Sequence, residues 1–554
     1  MGDIGDDERR KEEHATSVPL LSGESRKSLL PSPFQNSFHW RMRPEENVAH
    51  DGDEDSEDND DDDVSSNGES IDIMVSIRSE LNNYDRGTGH AAPEYSNRLM
   101  ALFLPIATSN LLYFAISLIN MSFVGHVNDM ALATSVLATT LFNATGFAVL
   151  QGFTSALETL CGNAFGAGHY ESVGIILQKG LVLNGILSAC IIGAWGTCTK
   201  PIFSLLGQDE ELSVAASRYI MLMSPALPLN ALYESLKRYL SCQGIVRPMA
   251  LSTGITCCLC PLYNYLLIYY FDLGVDGAAL VSVCVSFTMA LMLLIMTIVI
   301  EWCKPLPRTW GGFSAAHVFS LDGYAEFLKI AVPGCVMILS EWSAFEAITI
   351  LSGLLPHAKV HMASMGIMMN ISGFVWTIVN GFSFSASVLI AQSLGAGFAR
   401  DARAFAVSAV RFGFLFEVCT AVVLLLSRNK VGGLFSNSEH VVDCISIAMP
   451  LFALSLPGDG VNCCLQGVLR GSGRLVTGAV VNIIMYWLIG IPTAAFLAFK
   501  AQYHMNGLWG GVAIVNTLIG LVMGIVFYRI DFKHEATRAV ARNTATVSAN
   551  NNNI

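Results

Sequence analysis

Seven ionisable residues lie where the sequence is otherwise almost wholly apolar: Glu158, Glu234, Glu341, Glu346, Arg411, Glu417 and Asp459. A charge near the centre of a hydrocarbon layer costs at least about 2.5 kcal/mol, so such groups pair with one another or face an aqueous cavity. A carboxyl group whose hydration changes also changes its proton affinity. It can therefore load a proton on one side of a membrane and release it on the other. It can also attract a cationic solute, and one site doing both gives exchange by competition. Glu341 and Asp459 fit this chemistry best, because each sits inside its apolar segment with no basic partner in the same helix. Glu346, roughly 140° round the helix from Glu341, and Glu158, late in its segment, are further candidates. Glu234 stands beside Lys237 and Arg238 at a helix end, which favours a structural pair. Glu417 could serve transport, although helix contacts are the favoured reading, and Arg411 is expected to reach the cytoplasmic interface. Asn120, Asn143, Asn370 and Asn380 could bind a solute or simply a neighbouring helix.

A spanning helix needs about 20 mostly apolar residues, and twelve such segments follow Arg98. Six lie near 99–121, 132–157, 173–197, 216–240, 248–270 and 277–301. Six more lie near 325–351, 363–389, 403–427, 443–467, 475–499 and 507–528. The two sets repeat one another. QGFTSALETLCGNAFGAG, from Gln151 to Gly168, aligns without a gap on NGFSFSASVLIAQSLGAG, from Asn380 to Gly397. Pro105 and Gly125 bracket the first segment as Pro333 and Gly353 bracket the seventh, and Gln243-Gly244 with Arg247 recurs as Gln466-Gly467 with Arg470. An even number of spans per half makes these parallel repeats about an axis along the membrane normal. Pro105, Pro225, Pro333 and Pro450 remove helix hydrogen bonds and are candidate hinges, or fixed bends. Lys and Arg concentrate in alternate loops and after the last span, so both termini are expected on the cytoplasmic side.

Only 14% of the 554 residues are charged and 52% are hydrophobic, far from a soluble composition. The net charge of −13 is unevenly spread. Met1 to Ser96 holds 24 acids and 9 bases, a net of −15, and the remainder holds 21 acids and 23 bases, a net of +2. The run from Asp51 to Asp63 predicts a disordered tail. Leu20-Leu21 and Leu29-Leu30 resemble sorting signals or are plain linker, and Ile71 to Ile77 alternates in a way that could dock weakly. No basic, aromatic-rich face suggests nucleic acid. The cysteines, including Cys257, Cys258, Cys260 and the Cys463-Cys464 pair, lie mostly in apolar segments without a second polar knuckle, so they read as buried thiols and no metal is expected. His357 and His361 read as interfacial. The sequence shows no phosphate-binding loop of the kind that would point to an ATP-driven pump.

The segment Ala156–Ala167, with Asn163 where glutamine is usual, resembles a motif of the multidrug and toxic compound extrusion (MATE) family, particularly its plant branch. Two further motifs of that family match Ser340 to Pro356 and Asp459 to Gly473. The resemblance covers about Arg98 to Ile530. It implies an all-α integral membrane protein of twelve transmembrane helices in two pseudo-symmetric six-helix lobes, alternating between outward- and inward-facing forms. It also implies exchange of protons or sodium for organic cations, secondary metabolites, hormones or organic acids. Glu341 and Asp459 correspond to the acidic pair of plant-type members, and Glu346 and Glu158 match family acids. The first span carries no carboxylate, unlike some prokaryotic members, which favours coupling in the second lobe. The expected organisation is an acidic cytoplasmic tail (1–97), an N-lobe (98–301), a connector (302–322), a C-lobe (323–530) and a polar C-terminal tail (531–554). The working unit is expected to be a monomer without cofactor, not an enzyme, in the plasma membrane or a vacuolar or endosomal membrane. A lipid-linked precursor flippase would want a cationic cavity. A membrane-embedded transferase would want an acidic or histidine motif at a span's end.

Overall fold

The computed structural model describes residues 92–551, apart from 206, 208, 305–307, 316–317, 319 and 321–322. The acidic run, the two dileucine pairs and the alternating stretch at 71–77 lie outside the described residues, as do Pro305 and Pro307 of the connector.

Eleven helices are long and apolar enough to cross a membrane, and a bent pair makes a twelfth. In chain order they are α1 (Ala92–Gly125), α2 (Asp129–Gly166), α3 (Tyr170–Leu205), α4 (Glu210–Met223 with Ala226–Ser241), α5 (Arg247–Tyr270), α6 (Gly274–Cys303), α7 (Tyr324–Ser352), α8 (Ala358–Gly395), α9 (Ala399–Val431), α10 (Glu439–Gly471), α11 (Leu475–Lys500) and α12 (His504–Tyr528). Each expected span is present, and each helix runs beyond its apolar segment. Asn128 caps α2, its side chain accepting from Ala131 N at 2.6 Å.

Of the four candidate hinge prolines, only Pro225 interrupts a helix, at the 45° bend of α4. Pro105, Pro333 and Pro450 sit within unbroken helices. A long helix loses one hydrogen bond at a proline and continues when its neighbours hold it.

The repeated motif is where the two lobes meet. Gly168 and Gly397 turn the corners after α2 and α8 in the left-handed region, at φ 81° and 82°. Two residues earlier, a Cβ on Gly166 would collide with the Gln392 carbonyl, and one on Gly395 with that of Asn163. Asn163 and Gln392 are equivalent in the repeat, as are Gly166 and Gly395, so this is one contact made twice about the pseudo-twofold axis. At this corner end the apolar clusters mix the lobes: Phe103 and Ala107 of α1 pack with Val379 and Phe382 of α8, and Phe327 and Ile330 of α7 with Leu157 and Leu177. At the opposite end each cluster belongs to one lobe: Ala131, Phe142, Tyr219 and Leu227 in one, Met365, Ile371, Ile445 and Trp509 in the other. Among the described residues the buried apolar packing joins the lobes at the corner end and stays within each lobe at the far end.

The polar tail expected at 531–554 is a helix over Phe532–Asn551, named α13. Asp531 Oδ1 accepts from the backbone of Lys533 and His534, and Phe532, Ala536 and Ala539 are buried at helical spacing. Arg542 reaches Glu326 of α7 at 2.9 Å, and Glu535 takes Arg474 at 3.6 Å. A polar average concealed one apolar stripe.

Gly395→Val is expected to force the corner apart and destabilise the protein by about 1–3 kcal/mol, the usual range for an overpacked contact. Melting of the purified protein in detergent measures this.

Candidate functional site

The candidate acids Glu158, Glu341 and Asp459 belong to two of the buried polar groups among the described residues: one between the lobes at the corner end, the other inside the C-lobe.

The first is built on Glu158. Its side chain is 1% exposed and lies 3.2 Å from Arg238 Nε of α4 and 3.6 Å from Arg470 Nε of α10. Arg238 also pairs with Glu234 and donates to Gln151 Oε1 at 2.6 Å. Arg470 donates to Ser383 Oγ at 2.8 Å. Thr159, beside Glu158, donates to the Arg470 carbonyl, and Gln392 Nε2 donates to the Cys242 carbonyl at 2.6 Å. Glu158 was a candidate for binding a cation or solute. It is held by two arginines, one from each lobe, at the corner end. The sequence hides this pairing because Arg470 lies 312 residues further along the chain. Glu234 forms the structural pairs expected of it, with Lys237 and Arg238.

The second group joins α7, α10, α11 and α12. Glu341, 5% exposed, accepts from Gln466 Nε2 at 2.7 Å. Asp459, 8% exposed, lies 3.5 Å from Asn516 Nδ2. Asn462 Nδ2 donates to the Tyr486 hydroxyl at 3.2 Å. The arrangement is held by α11, whose Asn482 and Trp487 donate to the carbonyls of Met337 and Ser340 on α7, both at 3.0 Å. Residues Ile483–Gly490 of α11 are wound as a π-helix, a widening common at functional sites. Gln466 is seven residues beyond Asp459 and so on its helix face, a signal available in the sequence. Asn516 is one polar residue in an apolar span and carried no such pattern.

The remaining candidates stand apart from these acids. Glu346 is exposed and on another face of α7. Asn120 accepts from Asn264 Nδ2 at 2.7 Å and from Cys260, tying α1 to α5. Asn370 bonds the Gly366 carbonyl of its own helix. Asn143 is exposed at the start of a π turn in α2, and Asn380 is half-buried.

Between the two groups the lobes meet through aromatic rings that sequence reasoning did not single out. Phe114 of α1 approaches Phe374 of α8 at 5.9 Å between centroids, and Phe147 of α2 approaches Trp342 of α7 at 6.5 Å. Tyr113 stacks on Phe147 at 6.1 Å, and Trp376 stands edge-on to Trp342 at 5.8 Å. All six rings are partly exposed. Such faces suit flat or cationic organic solutes. All 14 cysteines are free, and no cluster of metal-ligating side chains occurs among the described residues.

Two lobes of six spans, joined by a buried ion cluster at one end and with Glu341 and Asp459 enclosed in the second lobe, have the architecture of a membrane transporter. The family profile MatE matches residues 105–266 and 333–496. Mouse multidrug and toxin extrusion protein 1 is 33% identical over 453 residues, 81% of this chain and 78% of the relative. Protein DETOXIFICATION 6 of Arabidopsis thaliana is 32% identical over 457 residues, 82% of this chain and 93% of the relative. The crystal structure of the eukaryotic MATE transporter AtDTX14 superposes with a TM-score of 0.77 at 29% identity, covering 82% of this chain and 99% of that one. The chain belongs to the MATE family of multidrug and toxin extrusion transporters. It is an integral, multi-pass membrane transporter and not an enzyme.

Glu158→Gln leaves two buried arginines short of a partner and is expected to destabilise the closed corner by about 3–5 kcal/mol. Adding Arg470→Gln should recover part of that loss. A double-mutant cycle on thermal stability reads the coupling, and additivity would show that the pair does not interact.

Proposed function

We propose that the protein exports small organic solutes in exchange for protons, with Glu341 and Asp459 as the coupling acids. The observation that carries this reading is the enclosure of both acids in the C-lobe with amide partners and no salt bridge. An acid bonded to neutral amides can lose or gain a proton without tearing apart an ion pair. In the cycle, protons from the acidic side load Glu341 and Asp459, solute leaves the aromatic-lined cleft, the lobes rock, and proton release restores the site. Organic cations fit the rings and the acids together. Secondary metabolites, hormones and organic acids are the wider substrate class.

The corner end is assigned to the cytoplasm. Arg238, Lys304, Arg470, Arg474, Arg538 and Arg542 gather there, which supports this orientation under the positive-inside rule. Both termini are then cytoplasmic, and the conformation faces outward. The plasma membrane and vacuolar or endosomal membranes all provide a more acidic far side. One chain contains both lobes and both polar groups, which supports a monomeric transport unit.

In reconstituted vesicles, an imposed pH gradient is expected to drive uptake from a labelled solute panel. Glu341→Gln and Asp459→Asn should each reduce it at least tenfold at equal expression. Uptake that follows a sodium gradient instead would replace the coupling ion. Intact pH-driven uptake in both variants would remove these acids from the mechanism.

A further inference from the structure

Glu417 takes no part in either polar group, yet it is the most enclosed acid of the C-lobe. It lies midway along α9 at 0% exposure, and neither carboxyl oxygen has a hydrogen-bond partner. A structural carboxylate at that depth is ordinarily held by a cation or by several donors, because an unpaired buried charge is costly. A helix contact therefore explains the stem of Glu417 and leaves its carboxyl group unaccounted for.

The stem is seated on α10. A Cβ on Gly460 would stand 2.5 Å from Glu417 Cγ, so a side chain at 460 would evict it. Gly460 follows Asp459 directly in the chain. On the other side of Asp459, Gly458 packs on the α12 backbone at Asn516, the residue whose amide reaches Asp459. Asp459 thus sits on a stretch of α10 clasped between α9 and α12, with Glu417 against one flank. The titratable groups acting on Glu417 are Asp459 and Cys464, both of α10. α8 brings the Phe382 ring against Phe416, 6.4 Å between centroids. Among the described residues, α1, α8 and α13 bring no titratable group to it, and Arg411 on α9 itself is exposed. The repeat places Ser188 at the equivalent position of α3, so the N-lobe has no counterpart.

We propose that Glu417 is a third proton-binding acid of the C-lobe, exchanging a proton with Asp459. The step moves one proton from a carboxyl oxygen of Asp459 to one of Glu417. Asp459 is left ionised and free to engage a cation, and no other bond is made or broken. Because Glu417 is sealed behind α10, it holds its proton without competing with solute in the cleft. The inference rests on the proton-coupled reading above.

The test uses protons alone as the ligand. Infrared difference spectra of the purified protein are recorded as pH is stepped from alkaline to acid, and protons taken up are counted with an indicator dye. Glu417→Gln is expected to remove one carboxyl band and to lower uptake by about one proton per chain. An unchanged spectrum and count overturn the proposal. If Glu341→Gln and Asp459→Asn alter the spectrum while Glu417→Gln does not, this proposal alone fails. If none of the three alters it, the proton-coupled reading fails with it. Should Glu417→Gln not fold, Glu417→Asp retains a carboxyl, and its band must shift relative to the wild type; an unmoved band counts against the proposal.

Discussion

One carboxylate between two arginines governs the conformation seen here. Glu158 on α2 meets Arg238 from its own lobe and Arg470 from the other, all three buried. Buried ion pairs contribute little net stability beside a well-packed apolar core, but losing one member is strongly destabilising. Such a contact acts as a condition of assembly more than as a glue. The backbones must approach closely enough for Arg470 to reach Glu158, and the glycines at 166 and 395 allow that approach. Among the described residues the far ends of the lobes show no equivalent ion pair and pack within themselves, so separation there costs less.

The C-lobe group obeys a different constraint. Its acids are held by the side-chain amides of Gln466 and Asn516, and several of the neighbouring polar atoms, including Asn462 Oδ1 and Asn516 Oδ1, are left without partners. A fully satisfied network would fix one charge state. A partly satisfied one permits a change in protonation with small rearrangements of side chains. The supporting helices are correspondingly firm: α11 is bonded across to α7, and α10 is clasped through glycines on two sides.

Much of this was legible in the sequence. Hydropathy marks the twelve spans because a membrane helix must satisfy its backbone internally and turn apolar side chains outward. The duplicated Gly-Ala-Gly corners marked the axis correctly. Glu341 and Asp459 stood out because a lone acid in an apolar span has few structural explanations. Glu158 looked the same by that criterion, and the arginine that engages it arrives from the opposite repeat. Pairings across lobes leave no trace in local spacing. The aromatic rings were invisible for a related reason: a ring in an apolar helix looks alike whether it meets lipid, core or cleft. The C-terminal helix was missed because its apolar stripe is narrow and its composition polar.

The repeat also shows how far the two halves have diverged. Glu158 is matched by Ser387, Glu341 by Tyr113 and buried Arg470 by exposed Arg247. The backbone contact at the corners keeps its twofold form, but the charges do not. Two identical subunits could never make such an arrangement, since every acid in one would recur in the other. A head-to-tail fusion of two copies frees each half to mutate alone. The result is a pseudo-dimer in which the glycine contact is kept by both halves, while the ion pair joins unlike residues across the lobes and the pair Glu341 and Asp459 belongs to one half alone.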